Sequence, residues 1–338
     1  MTLRALIVGL AVALASAAMF GTSGAVGKSL LLTGWSSGAA VALRIGLGAA
    51  ILAVPGALAM RGHWHLLRRP VTWIHTGLFG LVAVAGCQLF YFLAVERLSV
   101  GVALMLEYLG PILVVGWLWA RHGQRPRPLT VAGITLALLG LLLVLDVLGE
   151  VQLSAVGVMW GLLAAVGLAV FFVVGSDDTS GLPPFAFAAL GMTFGTVALA
   201  LAGLVGLVPM QASTQDVVLA GTTAPWWVPV LWLGLVAAAL AYVSGVVAAR
   251  ALGAKVASFV GLAEVMFAVL FAWLLLGELP AAIQLLGGVL IVAGVAAVKA
   301  DEPGGRDTHD GDDTQDARPG EVAAPGIPPA AMQLEPLP

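Results

Sequence analysis

Ten apolar runs, near residues 5–29, 37–59, 72–94, 99–120, 129–146, 154–175, 183–206, 226–249, 254–276 and 281–299, leave this chain few ways to fold. Several hold no charge and are dense in Ala, Gly, Leu and Val, as a helix in hydrocarbon requires. A bilayer crossing takes roughly 20 such residues, so the runs and short loops account for the whole length. β-Barrel strands would be about ten residues long and alternate apolar with polar positions, which these runs do not. Hydrophobic side chains make up 60% of the 338 residues and charged ones 10%, where a soluble domain has about 45–50% and about 25%. A soluble enzyme is excluded, and the chain reads as an all-α polytopic membrane protein with ten transmembrane helices.

The first run has the look of a signal peptide, because Arg4 precedes Leu6–Leu14 and Ala15-Ser16-Ala17 resembles a cleavage site. Its apolar stretch continues through Phe20 and Val26, past the length of a signal core, so it is expected to remain as the first helix. Placing both termini in the cytoplasm puts Arg4, Arg61, Arg68, Arg69, Arg121, Arg125, Arg127, Arg250, Lys255 and Lys299 inside and only Arg97 outside. That asymmetry sets the orientation. Asp146, Glu150 and Asp216 fall outside. Trp35, Trp226 and Trp227 are expected near the outer interface, and Trp64, Trp73, Trp117 and Trp119 near the inner one.

The net charge of −3 hides a split: residues 301–338 hold nine acidic and two basic residues, leaving nine acids against thirteen Lys and Arg elsewhere. Nothing here suggests a nucleic-acid partner. The segment from Asp301 on, rich in Pro, Asp, Gly and Ala without hydrophobic period, reads as a disordered, solubilising cytoplasmic tail. The single cysteine, Cys87, excludes an internal disulfide and a cysteine metal cluster.

Shifted by 154 residues, the chain aligns with itself. Eleven of 47 positions from Leu98 to Val144 are identical, among them Trp119 on Trp273, Gly123 on Gly277, Pro126 on Pro280, Gly133 on Gly287 and Gly140 on Gly294. Five helices per half is an odd number, so the second half is expected upside down in the membrane. The charge bias agrees, since the Arg121–Pro128 loop holds three arginines and its counterpart at 277–280 none. The halves are 1–148 and 149–300. Inverted repeats are the build of secondary transporters, with the substrate site at the repeat interface near the midplane.

Charges inside the membrane cost roughly 2.5–3.5 kcal/mol each on insertion scales and call for an explanation. Arg44 and Glu107 each lie about eight residues from the outer end of their helices, roughly 12 Å deep at 1.5 Å per residue. At matching depth with opposite charge, they form either a structural ion pair or a receptor for a zwitterion, guanidinium for carboxylate and carboxylate for ammonium. Lys28, near an outer helix end, is either a snorkelling interfacial lysine or a group at the cavity mouth. Glu264 aligns with Gly110 and Glu107 with Gly261, so both carboxylates are expected to face the pseudo-symmetric centre, Glu264 for proton coupling or for helix packing. Gly110-Pro111 breaks the fourth helix just after Glu107, because proline removes a backbone donor. Gln88, Tyr91, Tyr108 and Tyr242 are candidate hydrogen-bonding groups around it, Gln88 and Tyr91 sharing a helix face. Few aromatics are expected to line this polar site. Gly133, Gly140, Gly287 and Gly294 are expected to allow close helix packing.

The segments LFYFLAVERLSVGVALMLEYLGP (89–111) and LAEVMFAVLFAWLLLGE (262–278) resemble the drug/metabolite transporter superfamily, EamA type, over about residues 5–299. The first half, from GTSGAVGKS (21–29) through Ala42-Leu-Arg to Glu107-Tyr-Leu-Gly-Pro, is most similar to bacterial threonine/homoserine exporters. Where that family often has Glu-Pro in the ninth helix, this chain has Glu264-Val265. The resemblance implies two inverted five-helix EamA repeats in a bacterial inner (plasma) membrane and export of an amino acid or derivative by alternating access. Coupling to protons through Glu264 or Glu107 is consistent with the lack of an ATP site. Efflux of drugs or other metabolites is the alternative cargo, and a non-transporting scaffold or sensor the alternative class. No cofactor is implied, the partners are a small-molecule substrate, a proton and the bilayer, and the oligomeric state is left open.

Two motifs mislead. Residues 21–29 mimic a phosphate-binding loop, but the rule needs Gly six positions before the lysine and Thr22 stands there. His63, His65, His75, His122 and His309 lie in loops, at an interface or in the tail, with no His-Glu-x-x-His, so neither a zinc protease nor a histidine-based serine protease is supported.

Overall fold

Not every apolar run is one continuous helix. The computed structural model describes residues 3–98, 100–123, 125–144, 154–219, 221–276 and 282–301. Asp146, Glu150, Gly277, Pro280 and the chain past Asp301 lie outside the described residues. The first run divides into α1 (Leu3–Gly21) and α2 (Ser23–Leu31). Between them, the Thr22 hydroxyl donates to Met19 O at 2.7 Å and accepts from Trp232 Nε1 at 3.0 Å, so this side chain competes with the backbone ladder. α3 (Ser37–Ala59) starts where Ser36 Oγ accepts from Ala39 N at 3.3 Å.

α4 (Pro70–Leu78) runs through a π-helical stretch, Phe79–Gly86, into α5 (Cys87–Val95). α6 (Val100–Glu107) and α7 (Gly110–His122) are separated at Tyr108-Leu109, and α8 spans Pro128–Val144. α9 (Ala155–Ser176) and α10 (Pro184–Leu204) follow, then an antiparallel hairpin of β1 (Val217–Leu219) and β2 (Thr222–Ala224). α11 (Trp227–Gly234) passes through a second π-helical stretch, Leu235–Leu240, into α12 (Ala241–Gly261). Gly253 breaks α12 with φ 78°, ψ 159°, a backbone state that a side chain would strain. α13 (Ala263–Leu276) and α14 (Ala282–Ala300) complete the described chain.

Six helical stretches, Arg4–Leu31, Ser37–Ala59, Pro70–Val95, Ala155–Ser176, Pro184–Leu204 and Trp227–Gly261, are long and apolar enough to cross a bilayer. The other apolar runs are split at Tyr108-Leu109 and Leu262 or, as with α8 and α14, border residues outside the described ones. Exposed Trp64, Trp73, Trp117, Trp119 and Trp227 fit a lipid-facing surface. Trp35 is buried and donates to Ser213 O at 2.8 Å.

The same 154-residue shift relates backbone irregularities as well as residues. It carries Phe79–Gly86 onto 233–240, where the second π-helical stretch occupies 235–240. It carries the break at 107–110 onto 261–264, where α12 gives way to α13, and the start of α8 onto the start of α14.

α8 and α14 cross through glycine. A Cβ on Gly133 would sit 2.7 Å from Gly294 O, and one on Gly140 2.5 Å from Gly287 O. Each glycine thus meets the repeat counterpart of the other, an antiparallel crossing with backbones in contact. Gly140→Ala is therefore expected to lower the melting temperature of the detergent-solubilised protein, since overpacking costs about 1–3 kcal/mol. Gly116→Ala, with nothing within 4 Å of the new methyl, is the matched control and should leave it unchanged or higher.

Loops gather at two ends. On the side where α1 begins, Gly9 packs on Leu252, Arg250 bonds Asp178 Oδ1 at 2.9 Å and Leu182 O at 2.7 Å, and Lys255 donates to Thr130 Oγ1 at 2.9 Å. Thr130 in turn donates to Asp301. On the far side, Ser36 Oγ donates to Pro209 O at 2.7 Å and Ser37 Oγ to Glu96 Oε1 at 2.5 Å, beside the hairpin whose Val217 packs with Val26, Leu30 and Trp35.

Candidate functional site

The irregular backbone converges on the middle of the bundle. α5 begins at Cys87 as the first π-helical stretch ends, which turns Cys87, Gln88 and Tyr91 inward. Glu107 is the last residue of α6, and Glu264 stands in the first turn of α13. Close approaches hold both breaks in place. A Cβ on Gly110 would lie 3.1 Å from Leu168 and 3.2 Å from Ala165 O on α9, and one on Gly21 3.0 Å from Glu264 O. Gly110 and Pro111 are buried and open α7. Breaks in helices beside charged groups are the usual pointer to a transporter site.

Two chambers meet here. The near one is reached by Ala13, Ser16 and Ala17 of α1, toward the side where the chain begins. The far one is reached by Ser23, Gly24 and Lys28 of α2. Phe20, Gln88, Glu107 and Glu264 line both and form the layer between them. Tyr108 and Tyr242 face the near chamber, Tyr91 and Lys28 the far one.

The carboxylates have few partners. Cys87 Sγ lies 3.3 Å from Glu107 Oε1 and 3.5 Å from Ala164 O, and its one proton serves one of them at a time. Tyr108, Tyr242, Gln88 and Glu264 share the lining of the near chamber. Among the described residues no cluster of three or more His, Cys, Asp and Glu could hold a metal ion.

Arg44 does not form the expected ion pair. It is 1% exposed and lines neither chamber. Its Nη1 donates to Gln88 Oε1 at 2.5 Å and Ser23 Oγ at 3.1 Å, its Nη2 to Ala237 O at 2.6 Å, and its Nε has no partner. Among the described residues only His75–Asp177 and Arg250–Asp178 form ion pairs, so Arg44 is not paired with Glu107. Neutral oxygens partner only the two Nη groups, because α3 turns the guanidinium toward α2, α5 and the Ala237 carbonyl. Its contact with the site runs through Gln88.

The aromatic content also differs from expectation. Phe20, Phe171, Phe172 and Tyr242 all line the near chamber. Their rings pack edge to face: Phe20 on Tyr242 at 5.0 Å and 78°, Phe171 on Tyr242 at 5.6 Å and 80°, and Phe171 on Phe172 at 5.0 Å and 85°. Sequence reasoning missed Phe20, Phe171 and Phe172, since an aromatic in an all-apolar helix is equally at home facing lipid.

Comparison with known proteins places this geometry. The sequence model of the EamA-like transporter family matches twice, at residues 7–146 and 155–299. An uncharacterized transporter of Archaeoglobus fulgidus is 25% identical over 224 residues, 66% of this chain and 74% of that protein. A protein solved by crystallography superposes with a TM-score of 0.68 over 86% of this chain and 96% of that one. At 21% identity that likeness concerns the fold alone.

Proposed function

The chain belongs to the EamA-like transporter family, and from that membership we propose that it is a secondary carrier exporting a small amine-bearing metabolite by alternating access. It is a multi-pass membrane protein of a transporter family. The finer reading has ten spans in two inverted repeats, 1–148 and 149–300, followed by a tail at 301–338. Both termini are cytoplasmic in a bacterial plasma membrane. The paired π-helical stretches, the paired breaks and the reciprocal glycine crossing support the repeat, and the positive loops on the side where α1 begins support the orientation.

One observation carries the carrier reading: two chambers on opposite sides of a single layer of Phe20, Gln88, Glu107 and Glu264. A carrier needs one site that each side reaches in turn, and a thin layer with two carboxylates is such a site. Either carboxylate is also a group on which a proton can exchange for cargo. Resemblance to threonine/homoserine exporters makes amino acids the first cargo to test. An amino acid's carboxylate would look to Lys28, which lines the far chamber, because Arg44 is turned away.

The test is the composition of the medium around cells expressing the wild type, Glu107→Gln or an empty vector, measured over a broad metabolite panel that includes threonine and homoserine. At least one solute should accumulate with the wild type and not with the variant. If no solute exceeds the vector level, the carrier reading falls.

A further inference from the structure

Resting on that carrier reading, we infer that the near chamber selects its cargo by a positively charged amine and offers no subsite for a carboxylate, so the cargo class is a compact organic amine rather than an α-amino acid. No Lys, Arg or His is among the described residues lining the near chamber, whereas Glu107 and Glu264 both face it. The rings of Phe20, Phe171 and Tyr242, packed edge to face, line the same chamber. Carboxylates beside an aromatic wall attract an ammonium from two sides, by charge and by the ring quadrupole.

The Ser16 hydroxyl, a neutral donor in the near chamber, is already bonded to Ala241 O at 2.8 Å.

The experiment measures equilibrium binding of radiolabelled phenethylamine to the purified full-length protein in nanodiscs, with competition by phenylalanine, threonine and phenethyl alcohol. Phenylalanine keeps the ring and amine and adds a carboxylate, while phenethyl alcohol keeps the shape and loses the charge. Phenethylamine should bind at least about tenfold more tightly than phenylalanine, and the alcohol should not compete. Glu107→Gln and Glu264→Gln should each weaken phenethylamine binding by about tenfold or more. If phenylalanine or threonine binds as tightly as phenethylamine, the inference is overturned and the carrier reading stands, because an amino acid is then the cargo. Absence of phenethylamine binding overturns it as well, while the metabolite panel still gives its separate answer on transport.

Discussion

Arg44→Met should leave the protein folded but reduce its transport efficiency at least about 30-fold. Two opposing effects act on stability. Removing the guanidinium strands Gln88 Oε1 and Ala237 O without donors, at about 1–3 kcal/mol for each buried acceptor. It also removes a cation that no carboxylate neutralises, which cost roughly 2.5–3.5 kcal/mol to place there. These nearly cancel, so the melting temperature should move by only a few degrees. Function has no such offset. Gln88 loses the bond that fixes its carboxamide in the layer between the chambers, and the carboxylates lose a nearby positive charge. Losing one partner of a buried charged arrangement costs about 2–5 kcal/mol, and about 1.4 kcal/mol is a factor of ten. Arg44→Lys keeps the charge but cannot reach Ser23, Gln88 and Ala237 together, so it should recover part of the efficiency. The readout is KM and maximal rate in proteoliposomes for any exported solute. Full activity of the methionine variant would remove Arg44 from the transport cycle.

Glu107→Gln and Glu264→Gln should both abolish transport, by about 100-fold or more, yet move stability in opposite directions. Glu107 ends α6, where the helix dipole is negative and disfavours a carboxylate, and its hydrogen-bond partner is a thiol, a weak donor. Glutamine there should raise the melting temperature. Glu264 stands in the first turn of α13, where the dipole favours a negative charge by about 0.3–1 kcal/mol. Glutamine there should lower the melting temperature. Parallel melting curves and flux measurements decide the matter: two inactive variants whose stabilities shift in the same direction would contradict this account of the helix ends. A gain in stability with a loss of function at Glu107 is the usual mark of a residue kept for its task.

Much of this arrangement is legible in the residues themselves. Intramembrane charge is costly enough that Glu107 and Glu264 stand out from the sequence, and Pro111 announces its break because it lacks an N–H. The glycine repeat foretells the α8–α14 crossing. What stays hidden depends on rotation about a helix axis. In a membrane helix both faces are apolar, so Phe171 and Phe172 have no periodicity that separates cavity from lipid. For the same reason, the depth of Arg44 is readable and its direction is not, and the guanidinium turns out to bond oxygens of three other segments. The breaks at Thr22 and Leu262 and the two π-helical stretches carry no proline. They arise from a hydroxyl bonding its own backbone or from packing between the halves.

The bonding of Arg44 also has a consequence for biogenesis. Ser23 and Gln88 leave the ribosome close to Arg44 in time, whereas Ala237, which accepts from Nη2, is made 193 residues later. A nascent first half in the translocon thus carries a guanidinium whose last partner does not yet exist. That arginine holds the early segments in an unfinished state until the stretch after α11 arrives, which ties membrane integration of one half to synthesis of the other. Expressed as two separate polypeptides, the halves should each be degraded alone and persist together.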